Sequence, residues 1–435
     1  MSAFESLDVV EVRAWGQRVG AVAADPTLGA YVFEYTPEWC AGRIELAPRQ
    51  MPNRLGPYVF PDLNPDTWHR LPALLADSLP DDFGNALVDA WMATRGIDKS
   101  AVTSLDRLAY MGERGMGALT FHPPSVEPRV EPSAIALADL VTSARQVLAG
   151  EFPGGAPAEE ALRQLIRVGS SAGGARAKAV IAFNPQTHQI RSGQFDTPPG
   201  FEHWLVKFDG VSTGQDRGVA IAVGEGYGRI EYGYYLMALA AGIEMAECRL
   251  LLEGPRAHFL TRRFDRGDDG GRIHMLSLCG LEHLDFRSPG ANSYEQLLLA
   301  IDGLRLGSDA TAEAFRRCVF NVAAVNRDDH TKNTAFCCTP EGEWSLSPAF
   351  DLTHSYRVDS VWVARHQMSV NGKTEGITRA DLEAVGDRFA VPGYKAITGE
   401  VLDAVADWET HAAAAEVPEQ RVAEIRGHMD EFAPA

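Results

Sequence analysis

Apolar and polar positions alternate from Leu7 to about Phe60 in the way that half-buried β-strands do. Residues 9–14 and 19–23 alternate on either side of a turn at Gly16-Gln17, and this pattern predicts a β-hairpin. Residues 31–35 predict a third short strand. The chain is therefore expected to begin with a β-rich part.

Helical periodicity follows at residues 71–78, 85–96 and 105–111. Four prolines then crowd residues 123–132, which indicates a domain boundary because proline interrupts both helices and sheets. Two further helices are predicted at residues 133–148 and 158–167.

The pattern changes at residue 168, where a run of small residues, Gly-Ser-Ser-Ala-Gly-Gly, precedes a second β-rich stretch. A hairpin is predicted there at residues 179–183 and 189–192, a strand at 204–208, a helix at 229–242 and another strand at 259–264. From residue 294 the chain is mainly helical. A β-rich lobe followed by a helical lobe is typical of the α+β class.

The chain has 435 residues, of which 45% are hydrophobic and 23% charged, and this composition excludes disordered and fibrous classes. A formal net charge of −19 argues against direct binding of nucleic acid, because that affinity comes mainly from basic side chains. No apolar run reaches the roughly 18 residues that a membrane-spanning helix needs. With an acidic N-terminus and six scattered cysteines, we expect a cytoplasmic protein with reduced thiols and no signal peptide.

The densest polar cluster is Asn-Arg-Asp-Asp-His-Thr-Lys-Asn at residues 326–333, between a predicted helix and a β-like run. Active-site residues tend to lie in loops held in this way. Asp328 and Asn333 have the spacing of the D-x-x-x-x-N of kinases, in which the Asp accepts the proton of the attacking hydroxyl and the Asn holds a metal ion. The alternative interpretation is a solvated turn.

Asp351 lies between Phe350 and Leu352, where a carboxylate is costly to bury without a partner. A Mg²⁺ ion shared with Asn333 would offset that cost, and this is the place of the metal-binding Asp of kinases. The alternative is an Asp that caps a helix or forms a turn.

Lys207 ends an apolar predicted strand, and Glu231 opens the helix that follows. Kinases place there the lysine that holds the ATP phosphates and the glutamate that pairs with it. The alternatives are an edge-strand lysine that discourages aggregation and a helix-start carboxylate that complements the helix dipole.

The small-residue run at 169–174 is suited to wrapping phosphates with backbone N–H groups. It also fits the G-x-S-x-G of a serine-hydrolase elbow, with Ser171 as nucleophile and His354 or His366 as base. An elbow needs a long helix after it, and Pro185 comes too soon for one, so a glycine-rich loop on a hairpin is favoured.

Taken together, these motifs resemble the HipA family of serine/threonine protein kinases, the toxin half of a bacterial toxin–antitoxin pair. Residues 74–81 resemble the family's NLLPD segment, and residues 110–119 its glycine-containing GrDcvGAL segment. In the core, residues 173–179 match GGARPKA, while 326–333 with 348–352 match N.DDH.KN…P.YDL. The resemblance covers most of the chain.

The resemblance implies an α+β fold with a two-lobed protein-kinase-like core, preceded by a β-rich N-terminal subdomain. The expected domains are an N-terminal subdomain at residues 1–130, an N-lobe with the glycine-rich loop at 131–263, and a helical C-lobe with the catalytic loop at 264–435. The resemblance also implies the use of ATP and Mg²⁺.

By the same resemblance, Asp328 is the catalytic base, Asn333 and Asp351 are metal ligands, and Lys207 holds the ATP phosphates with Glu231 as its partner. Further nucleotide contacts are expected at Gly173, Gly174, Ala175 and Lys178 in and after the glycine-rich loop, at Arg262 and Phe264 in the hinge, and at His330 in the catalytic loop. Ser171 takes the place of the autophosphorylated serine, with Ser170 as a close competitor. A phosphate there would repel ATP and eject the loop.

Two function classes stay open. The first is an active kinase that arrests growth by phosphorylating a translation component, such as an aminoacyl-tRNA synthetase. The second is a catalytically weak scaffold for a HipB-like DNA-binding antitoxin, through which alone it would meet nucleic acid. The presence of every expected catalytic residue favours the first, and a serine hydrolase is a remote third. No membrane partner is expected.

Overall fold

The computed structural model describes residues 5–80, 82–124, 176–187, 189–194, 200–212, 215–216, 219–220, 226–267 and 270–434. The helices predicted at residues 133–148 and 158–167 lie outside these ranges, as do Ser170, Ser171, Gly173, Gly174 and Ala175.

The strands of the described residues are β1 Val9–Ala14, β2 Gln17–Asp25, β3 Ala30–Tyr35, β4 Leu119–His122, β5 Arg176–Phe183, β6 Ile190–Ser192, β7 Glu202–Ser212, β8 Gln215–Asp216, β9 Val219–Ala220, β10 Cys248–Glu253, β11 Arg256–Arg262, β12 His274–Ser277, β13 Asn292–Ser293, β14 Ala335–Cys338, β15 Trp344–Leu346 and β16 Met368–Ser369. The helices are α1 Pro37–Cys40, α2 Pro65–Trp68, α3 Ala73–Ala76, α4 Asp82–Thr94, α5 Ser104–Met111, α6 Tyr227–Ala240, α7 Leu278–Glu282, α8 Tyr294–Gly303, α9 Gly307–Ala323, α10 Arg379–Arg388, α11 Tyr394–Ala406, α12 Trp408–Ala414 and α13 Glu419–Glu431.

The chain divides into two compact units. The first consists of Met1–Glu225, Leu251–Met275 and Cys338–Gly342, and the second of Gly226–Leu250, Leu276–Cys337 and Glu343–Ala435. The predicted boundary at residue 130 lies outside the described residues, so the three-domain division stays a prediction.

The first unit begins with an antiparallel sheet in the order β3-β2-β1-β4. Val10, Val12 and Ala14 are fully buried, whereas the residues between them are not, which is the alternation that predicted the strand. The hairpin is confirmed, but its turn is Trp15-Gly16, one residue earlier than predicted, and Gln17 already pairs with Ala14. Short β-strands at this end of the chain are therefore determined by their own period-2 pattern.

The helices predicted at residues 85–96 and 105–111 are confirmed as α4 and α5. Thr103 caps α5 in a capping box with Asp106. The helix predicted at residues 71–78 is only the single turn of α3, because Pro72 disfavours the helical conformation in Leu71 and the hydrogen bonds of Ser78 and Leu79 tighten to the i→i−3 pattern.

A five-stranded sheet in the order β10-β11-β7-β5-β6 carries the second β-rich stretch, and the predicted hairpin is its β5 and β6. Strand β7 is central, with antiparallel neighbours on both sides. The register places Lys207 opposite Lys178 on one neighbour and opposite Phe259 on the other, so that all three side chains share one face.

The second unit contains the helices from α6 onward. Helix α6 ends before Gly242, whose φ of 75° favours glycine, as the sequence predicted. With a β-rich first unit and a helical second unit, the predicted α+β class is confirmed. No helix within the described ranges is long and apolar enough to cross a membrane.

Candidate active site

The polar loop at residues 326–333, hereafter the catalytic loop after its predicted role, leaves helix α9 by a sharp turn. Asn326 N donates to Asn321 O at 3.0 Å and Val325 N to Val322 O at 3.4 Å, which is a Schellman motif. Val325 stands where glycine is usual and has a φ of 54°. A β-branched residue in this conformation costs about 1–3 kcal/mol, and such strain is concentrated at functional sites.

A chain of buried hydrogen bonds anchors the loop from beneath. Asn326 Nδ2 donates to Asn321 Oδ1 at 2.9 Å, and Asn321 Nδ2 donates to the Tyr294 hydroxyl at 2.9 Å. That hydroxyl in turn donates to Asp329 Oδ2 at 2.8 Å. Burial and the neighbouring Asp329 charge raise the pKa of Tyr294 well above its usual value, so Tyr294 stays a neutral donor.

Asp329 receives two more hydrogen bonds, from His366 Nδ1 at 2.9 Å and from the backbone N–H of Gln367 at 2.8 Å. Its side chain is fully buried. With its oxygens occupied in this way, Asp329 serves as an anchor for the loop and is not the base.

Asp328, by contrast, has a side chain that is 33% exposed. Asn333 Nδ2 donates to the backbone oxygen of Asp328 at 2.8 Å, which ties the two residues of the D-x-x-x-x-N motif together. This bond commits the amide nitrogen of Asn333 and leaves its oxygen as the group that can bind a cation. The Nε2 atom of His330 lies 3.7 Å from Asp328 Oδ1, and its ring packs on Phe286 with centroids 5.4 Å apart.

The segment that carries Asp351 is joined to the same loop. Ala349 N donates to Glu244 O at 2.8 Å, and Ser355 forms a parallel bridge with Asn326. The bridge brings the two polar motifs alongside each other. Asp351 itself has a φ of 56°, and no described helix begins there, so the helix-cap alternative is wrong.

Magnesium fits these residues by its chemistry. It prefers one or two protein oxygens together with phosphate oxygens and water, and the Asn333 amide and the Asp351 carboxylate carry oxygens of that kind. A magnesium site at these residues stays a prediction. Within the described parts of the chain, no group of three or more His, Cys, Asp or Glu side chains is arranged to hold a metal ion alone.

Lys207 lies on the central strand of its sheet and is only 8% exposed, so the edge-strand alternative is wrong. Lys178 is 3% exposed and directly opposite, and the ring of Phe259 lies 5.6 Å from Lys207 Nζ. Glu231 is 2% exposed and lies beyond the first turn of α6, so the helix-dipole alternative is also wrong. Lys207 belongs to the first unit and Glu231 to the second, and their pairing stays a prediction.

The predicted hinge ends β11, where Arg262 is opposite Trp204 and both Arg262 and Phe264 are half-buried. The strand predicted to reach residue 264 stops at Arg262. The nucleotide contacts assigned to these residues, and to Lys178 and His330, stay predictions.

Sequence reasoning missed the strongest ionic feature of this region. Asp265 has no exposed surface and accepts hydrogen bonds from Arg263 Nε at 2.9 Å, Arg263 Nη2 at 2.7 Å and Arg266 Nη1 at 2.7 Å. The backbone N–H of Gly117 donates to it at 2.7 Å. Burial alone would raise the pKa of Asp265, but the two guanidiniums hold it well below its usual range. Burial also lowers the pKa of Arg266 to about 9.

This cluster joins the hinge to the glycine-containing segment of the N-terminal part. Arg266 and Arg272 both donate to Gly117 O at 3.4 Å, and Trp15 Nε1 donates to Arg272 O at 2.7 Å. Gly117 has a φ of 77°, and a Cβ atom there would lie 2.9 Å from Met275 N. In the sequence, only the placement of Asp265 among three arginines, in Arg-Arg-Phe-Asp-Arg at residues 262–266, indicated this ionic cluster.

A protein-family model described as the HipA-like C-terminal domain matches residues 170–432, more than half of the chain. The chain belongs to the HipA family. A second model, the HipA N-terminal domain, matches residues 10–122. The resemblance inferred from the motifs is thereby confirmed. Of the two residues considered as hydrolase bases, His354 Nε2 lies 3.0 Å from His428 Nδ1, and His366 Nδ1 lies 2.9 Å from Asp329 Oδ2. The hydrolase alternative stays a prediction, because Ser171 lies outside the described residues.

A solved structure supports the HipA fold. The chain is similar to one in a complex of HipA, HipB and operator DNA from the Shewanella oneidensis MR-1 toxin–antitoxin system, with a TM-score of 0.66 and 17% identity over 97% of this chain and 95% of that one. A weaker match, with a TM-score of 0.31 and 13% identity, is the Helicobacter pylori proinflammatory kinase CtkA, over 52% of this chain and 92% of that one. No curated protein matches the chain.

Proposed function

We propose that this HipA-family protein transfers the γ-phosphate of ATP to serine or threonine hydroxyls of proteins, with Asp328 as the base. The observation that carries the proposal is the state of Asp328. Its side chain is 33% exposed, whereas both neighbours in the loop, Arg327 and Asp329, are buried. The loop thus presents one acceptor to an incoming hydroxyl and uses the residues around it as anchors.

The chemistry asked of Asp328 is to orient the hydroxyl and take its proton as the oxygen attacks phosphorus. Phosphoryl transfer depends mainly on positioning and on neutralising charge, so a fixed carboxylate matters more than a strong base. The bond from Asn333 to the backbone of Asp328 supports that fixed geometry.

Asn333 and Asp351 would hold Mg²⁺. The ion, when bound, neutralises charge on the phosphate oxygens. The residues' own part is to present an amide oxygen and a carboxylate from two segments that the bridge between Asn326 and Ser355 joins.

Lys207 and Lys178 would bind the phosphates. The two lysines lie directly opposite each other on neighbouring strands, so both ammonium groups share one face of the sheet. Two cationic donors side by side suit the oxygens of a phosphate, which supports a phosphate-binding role for this face.

We further propose that the kinase is the toxin of a toxin–antitoxin pair, located in the cytoplasm and bound by a HipB-like antitoxin. The similar Shewanella chain is in a complex with HipB and operator DNA, which supports such a partner here. The proposed substrate is a translation component such as an aminoacyl-tRNA synthetase, and self-phosphorylation is proposed at Ser171, with Ser170 as the alternative.

The test is incubation of the purified chain with labelled ATP, with and without Mg²⁺, followed by phosphosite mapping. We expect Mg²⁺-dependent incorporation, which Asp328→Asn lowers by roughly 10²–10⁴-fold because it removes the proton acceptor. If the folded wild-type chain incorporates no phosphate, even with candidate protein substrates, the kinase proposal fails and a scaffold for the antitoxin is the better interpretation.

A further inference from the structure

Asp328 is held between two anchors of different kinds. On its C-terminal side, Asp329 is bound by hydrogen bonds to Tyr294, His366 and Gln367. On its N-terminal side, the backbone N–H of Arg327 donates to Ser355 O at 3.1 Å, and the Arg327 side chain turns inward. The loop has no regular secondary structure at these positions, so such side-chain contacts fix its path.

The Arg327 side chain is an anchor that contacts two aromatic rings, and the charges of Asp329, Glu375 and Glu431 also act on its guanidinium. It is 3% exposed, and its guanidinium carbon lies 3.9 Å from the ring centroid of Phe432 and 4.6 Å from that of Tyr356. Nη1 donates to Ala364 O, whereas Nε has no hydrogen-bond partner among the described residues. A desolvated cation above two ring faces is a strong form of the cation–π interaction.

Phe432 comes directly after α13, near the end of the chain. Its backbone N–H donates to His428 O at 3.0 Å, which continues the last turn of that helix. Its ring meets Tyr356 edge-on at 4.9 Å, and Tyr356 meets His428 at 4.8 Å. Phe432 itself is half-buried, and its ring covers Arg327. It therefore contributes less to the apolar interior than a fully buried residue would.

We propose that Phe432 is a positioning residue for Asp328, which acts by holding the Arg327 side chain against Tyr356. The proposal rests on the proposed kinase function. Without the ring, Arg327 would lose one of the two faces that hold it, and the backbone at residue 328 would gain freedom. A displacement of about 1 Å in a catalytic group is enough to cost on the order of 10²-fold in rate.

The first test compares Phe432→Leu with Phe432→Tyr in the full-length chain. Leucine keeps an apolar side chain but has no π face, whereas tyrosine keeps the ring. We expect Phe432→Leu to lower kcat by roughly 10–100-fold with little change in KM for ATP, and Phe432→Tyr to retain most of the wild-type kcat. A merely structural role would lower the melting temperature and leave kcat per folded molecule unchanged.

Ile425→Ala is the matched control, because Ile425 is fully buried on α13, about two turns before Phe432. It should lower the melting temperature at least as much as Phe432→Leu does, without the loss of kcat. Wild-type kcat in Phe432→Leu, or an equal loss of kcat in Ile425→Ala, overturns the proposal.

A second measurement does not need catalysis. Hydrogen–deuterium exchange of the amides at residues 326–333 should speed up in Phe432→Leu and stay near the wild-type rate in Phe432→Tyr, while exchange in α6 stays unchanged in both. Unchanged exchange in the catalytic loop overturns the positioning role. If the wild-type chain transfers no phosphate, the kinase proposal fails, and the exchange result by itself decides whether Phe432 holds the loop.

Discussion

Removing the charge of Asp265 is the sharpest test of how the hinge is held to the N-terminal part. In Asp265→Asn, the guanidiniums of Arg263 and Arg266 remain buried without their carboxylate, since their side chains are 1% and 7% exposed. Breaking a buried ion pair by removing one partner costs about 3–5 kcal/mol of unfolding free energy. For a unit of this size that corresponds to a fall of roughly 10 °C in melting temperature.

The assay is thermal and urea unfolding of the full chain at pH 7, followed by circular dichroism, with hydrogen exchange at residues 112–118 as a local reading. Asp359→Asn is the matched control, because Asp359 also pairs with an arginine but its side chain is 72% exposed. That substitution should change stability by less than about 0.5 kcal/mol.

The dependence on pH supplies a second check. Because the pKa of Asp265 is lower in the folded chain than the ordinary value of about 3.9, the carboxylate stabilises the fold above that pH and loses its contribution as the pH falls further. The stability gap between wild type and Asp265→Asn should therefore be constant above about pH 5 and shrink below about pH 4. A gap at pH 7 of less than about 1 kcal/mol, or one that widens in acid, would refute the reasoning.

Asp351→Asn should abolish Mg²⁺-dependent phosphate transfer with little loss of stability, because asparagine tolerates the φ of 56° at this position but carries no charge for the cation; transfer at the wild-type rate would contradict the metal role. Ser171→Ala should remove phosphate from residues 169–174 in a mass-spectrometric map, whereas Ser170→Ala should keep it, and the reverse result would move the site by one residue. His274 is buried and bonded to Leu46 O at 2.9 Å, and burial lowers its pKa to about 4. As the pH falls, His274 therefore binds a proton in the unfolded chain before it does so in the folded chain. This difference should lower the free energy of unfolding by about 2 kcal/mol between pH 7 and pH 5, as measured by unfolding titrations, and His274→Gln should lack that part of the pH dependence.

Local pattern determined the elements and the candidate chemistry. The alternation at residues 9–14, the periodicity that gives α5 and the glycine that ends α6 all act within a few residues, and these three elements are present. The spacing of Asp328 and Asn333 is equally local, because one side-chain-to-backbone bond at 2.8 Å spans the motif. Where proline changed the local preference, as beside α3, the period alone predicted too long a helix.

The tertiary structure decided what each polar residue contacts. No local pattern distinguishes the half-exposed Asp328 from the buried Asp329 beside it, because Asp329 owes its burial to Tyr294 and His366, which are 35 and 37 residues away. The sequence around Lys207 also fitted a lysine on an edge strand, and only the strand order, which places β7 at the centre of its sheet, excluded that interpretation.

The contacts of Asp265 with Gly117 and of Arg327 with Phe432 span still longer stretches of chain. The periodicity of the sequence cannot predict such pairs, because topology brings them together only after the separate elements have packed.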